Sequence, residues 1–271
     1  DLNIWLVSFY MAIISLGISF GIMPVLSRKA EKGFVTGNSF LAAFSEMIIS
    51  IAMVLIIAGF LGFLSLSKGI GLGRLVFSNY TSTFTVFADV FPFLEKGTLL
   101  SLMFFLFMAI TFIFAAAILA YAISHVIVHK FSTKHVNASI LVCGLGFLSG
   151  LIFVIKPGIY IMDIVSHFLS YNILIAVLFE AIAVGWFFNS EKISDFINNN
   201  SSIKLGNIWR FIIRYIIPVI VILILVFQIK ADLDLNYNNY PLWALLVFGL
   251  GTVAVPLGVA FLMPQKIWDR R

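Results

Sequence analysis

Apolar residues in this chain fall in long unbroken runs, separated by short polar or basic stretches. They do not alternate as strands do, so a membrane β-barrel is excluded. Seven runs can be drawn: about Ile4–Leu26, Ser39–Leu66, Leu99–Val128, Val136–Ile155, Ile159–Phe188, Ile208–Ile229 and Pro241–Met263. A helix needs about 20 apolar residues to cross a hydrocarbon core about 30 Å thick, and each run is long enough. The pattern predicts an all-α membrane protein with seven transmembrane helices. A further apolar piece, Phe84–Phe91, lies in the long segment between the second and third runs. It reads as a short amphipathic helix folded over one face of the membrane.

The first run is interrupted chemically. Ser15-Leu16-Gly17-Ile18-Ser19-Phe20-Gly21 places serines and glycines where a lipid-facing span would carry Leu or Ile. Two readings fit. Glycines four apart let a neighbouring helix approach closely. Alternatively the helix breaks there, and its freed carbonyls and amides line a cavity at mid-membrane depth.

Composition agrees with the pattern. Of 271 residues, 62% are hydrophobic and 11% charged, with 29 Phe. No soluble domain of this size could cover so much apolar surface. Lone Cys143 gives neither a disulfide framework nor a thiolate metal cluster. The net charge of +5 sits mostly between the runs, so it reports topology and does not imply nucleic acid.

Arg28, Lys29, Lys32, Lys130, Lys134, Lys192, Lys204, Arg210, Arg214, Lys266, Arg270 and Arg271 follow odd-numbered runs. Lys68, Arg74, Lys96, Lys156 and Lys230 fall on the other side. This bias predicts a cytoplasmic C-terminus and an N-terminus outside, in the plasma membrane. A first helix entering from outside, opening on Asp1 with no leader-like segment, gives the expectation that an earlier portion precedes it.

Carboxylates inside apolar runs are costly and face protein or water by default. Glu46, Asp163 and Glu180 are therefore candidates for a polar network or a gate, with interfacial snorkelling the alternative for Glu46. His125 and His129 lie one helical turn apart, but no carboxylate or thiol joins them, so they read as interfacial histidines and not as metal ligands. No nucleophile–base arrangement, metal box or nucleotide loop is present to make an enzyme.

The order of features resembles the C-terminal half of the neurotransmitter:sodium symporter family, spans six to twelve of a leucine-transporter-type fold. Three stretches carry the likeness: Ser15-Leu16-Gly17-Ile18-Ser19, Phe131-Ser132-Thr133-Lys134-His135, and Glu180 through Phe188 with Met162–Phe168 before it. The resemblance implies an inverted-repeat fold with the first helix broken. Residues 1–188 would be the second half of the transporter core, and 189–271 two peripheral helices, a surface on which a homodimer could form.

It also implies a small, amino acid-like substrate, bound in the bilayer near Ser15, Gly17, Ile18, Ser19, Ala109, Ile113 and Ala117. Sodium would be the coupled ion. The family's ion sites use hydroxyl and amide oxygens where this chain has Ile13, Ser45, Phe112 and Ile113, close to Ala109. Isoleucine and phenylalanine offer no oxygen, so the sodium sites are expected to be degenerate. The family's outer-gate carboxylate falls at Ser166, with Asp163 about a turn away. The expected activity is secondary transport by alternating access. The alternative is a non-transporting scaffold or sensor built on the same fold.

Overall fold

The computed structural model describes residues 2–18, 20–22, 35–69, 71, 82–199, 204–234 and 237–262. Among them every regular element is helical. In chain order these are α1 (Leu2–Ser15), α2 (Val35–Lys68), α3 (Ser82–Val90), α4 (Gly97–Phe131), α5 (His135–Val154), α6 (Gly158–Ile182), α7 (Ser190–Asn199), α8 (Asn207–Phe211), α9 (Ile217–Asp234), α10 (Leu242–Ala244) and α11 (Gly251–Leu262). Wider π-helical turns extend α6 through Ala183–Phe187, join α8 to α9 through Ile212–Ile216, and join α10 to α11 through Leu245–Leu250.

Six of the seven expected spans are long and apolar enough to cross a membrane: Thr36–Lys68, Gly97–Phe131, His135–Val154, Gly158–Phe187, Asn207–Asn239 and Leu242–Ala260. The first differs. Helix α1 stops at Ser15, short of the expected Leu26, because the Ser-Leu-Gly that follows turns the chain. The second helix begins at Val35, four residues before the apolar run Ser39–Leu66 that predicted it. Asn198 belongs to the last turn of α7. Its side chain donates to the Leu205 carbonyl at 3.0 Å and accepts from the Leu205 amide at 2.5 Å, which ties the end of α7 to the residues just before α8.

The chain divides into two packed units, Phe40–Leu119 and the remainder, Asp1–Ser39 with Ala120–Arg271. In the larger unit α6 is the organising helix. Its buried positions fall on two faces: Ile164 and Phe168, four apart, on one, and Leu174, Val177 and Ala181, three and four apart, on another. Leu174 and Val177 pack with Val221 and Ile224 of α9 and Leu6 of α1. Ile164 and Phe168 pack with Ala244. The Phe168 ring occupies the space that Gly249 leaves empty: a Cβ there would stand 2.7 Å from the ring. Asn172 donates to the Thr252 carbonyl at 2.7 Å, tying α6 to α11 by a polar contact as well.

The smaller unit is built on phenylalanine. Leu64 of α2 is buried against Val86 and Val90 of α3. Phe87 stacks on Phe104 with ring centroids 4.2 Å apart and meets Phe60 edge-on at 5.1 Å. Lys68 bonds Asp89 at 2.7 Å across the partly exposed rim. The amphipathic piece expected at Phe84–Phe91 is α3 and the short 3₁₀ turn Phe91–Phe93 after it.

Candidate functional site

The break in the first apolar run is visible in the backbone. After Ser15 the Gly17 amide bonds the Ile14 carbonyl at 2.9 Å, and Gly17 itself takes φ +65°. That left-handed conformation costs an L-residue with a Cβ about 1–2 kcal/mol, and glycine enters it freely. Ser15 is exposed and its Oγ donates to the Ala12 carbonyl at 3.3 Å. Ile18 is exposed just past the break, and Ile13 packs on the Leu174–Val221 core. Ser19 lies outside the described residues.

The remaining expected pocket positions belong to the smaller unit. Ala109, Phe112, Ile113 and Ala117 are all exposed on α4. Phe112 meets the Phe84 ring at 6.1 Å. Ser45 Oγ donates to the Leu41 carbonyl at 2.7 Å, and Thr111 Oγ1 to the Phe107 carbonyl at 2.9 Å. Glu46 is half-buried and accepts from Ser50 Oγ at 2.7 Å, a partner one turn along its own helix.

The densest polar chemistry among the described residues lies along α6. Asp163 is 4% exposed. Its carboxylate accepts from Tyr237 Oη at 3.2 Å, Asn238 Nδ2 at 3.0 Å and Tyr240 Oη at 2.9 Å. All three donors are neutral and come from the turn between α9 and α10. Asn238 reaches its position because its backbone adopts φ +47°, a region asparagine tolerates better than most residues.

One turn further, His167 donates from Nε2 to Asp232 of α9 at 2.8 Å, and Tyr171 Oη donates to the same carboxylate at 2.5 Å. The Tyr237 ring stacks on His167 at 3.8 Å and 17°. Gln228 donates to Ser170 Oγ, which in turn donates to the His167 carbonyl at 2.5 Å. Ser166 is half-buried beside this line, and Glu180 is exposed at the opposite end of the helix.

Tyr240 lies between the spans. Burial pushes its hydroxyl up to about 12, and the hydrogen bond and charge of Asp163 push the same way. It therefore stays a donor at any physiological pH.

Sequence reasoning found Asp163 but not Asp232, His167, Tyr171, Tyr237, Asn238 or Tyr240. Asp232 falls beyond the apolar run of its helix, where a carboxylate raises no alarm. His167 was legible only as a member of the Met162–Phe168 stretch. A third histidine, His135, stands 6.1 Å from His125, which is itself 4.4 Å from His129. Even so, no group of three His, Cys, Asp or Glu among the described residues is set to hold a metal ion.

Membrane-length helices, a first helix broken at a Ser-Leu-Gly and a carboxylate, Asp163, buried where helices meet define a polytopic α-helical membrane protein of the broken-helix type. The chain belongs to the sodium:neurotransmitter symporter family, whose model matches residues 1–268. It is 28% identical to an uncharacterized sodium-dependent transporter of Methanocaldococcus jannaschii, over 98% of this chain and 54% of that protein. It is 22% identical to the sodium-dependent dopamine transporter of Bos taurus, over 90% of this chain and 36% of the relative. The sodium-dependent nutrient amino acid transporter 1 of Drosophila willistoni is 26% identical over 59% of this chain and 26% of its own length. The chain thus spans about half the length of these relatives or less. The family is one of transporters, not enzymes.

Proposed function

We propose that the chain forms part of a secondary active transporter that moves amino acids or related small solutes by alternating access around the break at Ser15–Ser19. One observation carries this reading: α1 ends at Ser15 inside an apolar run, and Gly17 turns the chain with φ +65°. Backbone groups freed inside a bilayer need a partner, and a bound polar solute is one. Residues 1–188 would supply core helices and 189–271 the peripheral pair, through which two copies would pair. Asp163 and Ser166 would lie toward the outer mouth, with the C-terminus in the cytoplasm.

Sodium coupling would be weakened. Ile13, Phe112 and Ile113 present no oxygen, and the hydroxyl protons of Ser45 and Thr111 are committed to carbonyls of their own helices. Sodium needs several oxygen ligands at once, and lone pairs on two such hydroxyls are too few. The same loss supports a second reading, in which the protein keeps the scaffold and acts as a membrane partner or sensor.

The test is uptake of a radiolabelled amino-acid mixture by the full-length protein in proteoliposomes, with and without a sodium gradient. Uptake indifferent to sodium is the expected result. Sodium-dependent uptake overturns the degenerate ion sites, and no uptake by folded protein favours the scaffold.

A further inference from the structure

At the other end of α6, two helices meet in a way that the transport reading does not use. Pro218 carries no N–H, so the Arg214 carbonyl four residues earlier loses its ordinary helical donor. Trp186 replaces it: its Nε1 donates to the Arg214 carbonyl at 3.2 Å. The approach is close because residue 185 is glycine; a Cβ there would stand 3.1 Å from Arg214 Cα. Both helices are widened to π turns at this point, Ala183–Phe187 and Ile212–Ile216.

The Arg214 guanidinium then folds over the Trp186 ring, 4.7 Å from its centroid, and stands 5.9 Å from that of Tyr215. An open groove runs from it between Ile182, Trp186, Pro218 and Val219. Phe187, at its lip, is 84% exposed.

Charge decides what this groove fits. Arg210, one turn before Arg214, is paired with Glu191 at 2.8 Å. No carboxylate pairs with Arg214 among the described residues. The cation lies about 10 Å along the helix from Asn207, where the candidate span begins, and a long basic side chain that near a span's end reaches the headgroup level. Trp and Tyr beside it are the side chains that settle at that level.

We propose that this groove binds one anionic phospholipid, its phosphate on the Arg214 guanidinium and an acyl chain along Pro218 and Val219. A zwitterionic lipid would fill the same apolar walls but bring its own cation to the arginine. The proposal does not depend on what the protein transports.

The test is native mass spectrometry of the full-length protein with phosphatidylglycerol or phosphatidylcholine. Wild type should retain phosphatidylglycerol about fivefold better than phosphatidylcholine, the scale of one basic side chain near a membrane surface. Arg214→Gln should remove that preference, while Arg210→Gln keeps it. Val219→Trp fills the groove but leaves the charge, and should lower retention of both lipids. Equal retention by wild type and Arg214→Gln overturns the proposal. So does displacement of the lipid by inorganic phosphate, which would mean the walls contribute nothing. A dimer lost in Arg214→Gln with lipid retention unchanged would assign the groove to a second copy and overturn it as well.

Discussion

His167 Nε2 and the Asp232 carboxylate lie 2.8 Å apart, joining two helices whose partners are 65 residues distant in sequence. Tyr171 adds its hydroxyl to the same acceptor. All this polar surface is half-buried, so removing the acceptor leaves two donors without a partner. Asp232→Ala should cost about 1–3 kcal/mol per stranded group, well above the typical surface substitution. Tyr171→Phe removes a donor instead and should cost about 1 kcal/mol. Both are read from the thermal unfolding midpoint of the purified protein, and equal midpoints for the two variants would contradict the account.

Tyr240 gives a pH dependence with a definite sign. Its hydroxyl is pushed from 10.0 up to about 12 in the folded state, first by burial and then by Asp163. A raised value means that the folded protein holds this proton more tightly than the unfolded chain does. The resulting stability is complete below pH 10 and is lost as pH rises from about 10 towards 12. Tyr240→Phe should flatten this part of the stability profile. An unchanged alkaline slope in the variant would show that Tyr240 is not its source.

Gly185 tests the close helix contact. Gly185→Ala puts a Cβ 3.1 Å from Arg214 Cα, a backbone atom that cannot swing aside. The helices must separate by a few tenths of an ångström, at a cost of about 1–3 kcal/mol. Gly185→Leu should be worse still. If unfolding midpoints show no loss, the two helices are not in contact at this point.

Gly17 tests the break. Gly17→Ala must hold φ +65° with a Cβ present, which strains the turn by about 1–2 kcal/mol. Uptake by the full-length protein should fall more than its unfolding midpoint does, because the turn sets the geometry of the exposed backbone. A loss of stability with uptake retained would separate the break from transport.

The Lys68–Asp89 pair should matter little in spite of its 2.7 Å length, since both side chains are partly exposed and screened by water. Lys68→Ala is expected to shift stability by no more than about 1 kcal/mol.

What the sequence determined by itself is the set of helices and the place of the break. Membrane spans must satisfy every backbone group internally, so a run of apolar residues such as Leu99–Val128 can only be a helix, here Gly97–Phe131. The Ser-Leu-Gly turn is legible for a similar local reason, since glycine permits the φ that ends the helix at Ser15. Expectations about which single residues face the substrate stay at the level of family likeness, because Ala109 or Ile113 in an apolar run carries no orientation of its own.

The tertiary structure decided the partners. Asp163 reads from sequence as a gate, and only folding brings Tyr237, Asn238 and Tyr240 to its carboxylate. Asp232 and His167 are unremarkable until α9 lies against α6. Arg214 was counted only as one more basic residue near a membrane face, until Pro218, Trp186 and Gly185 fixed where its side chain lies. Local rules name a helix; contacts between residues tens of positions apart follow from packing, which no stretch of sequence contains.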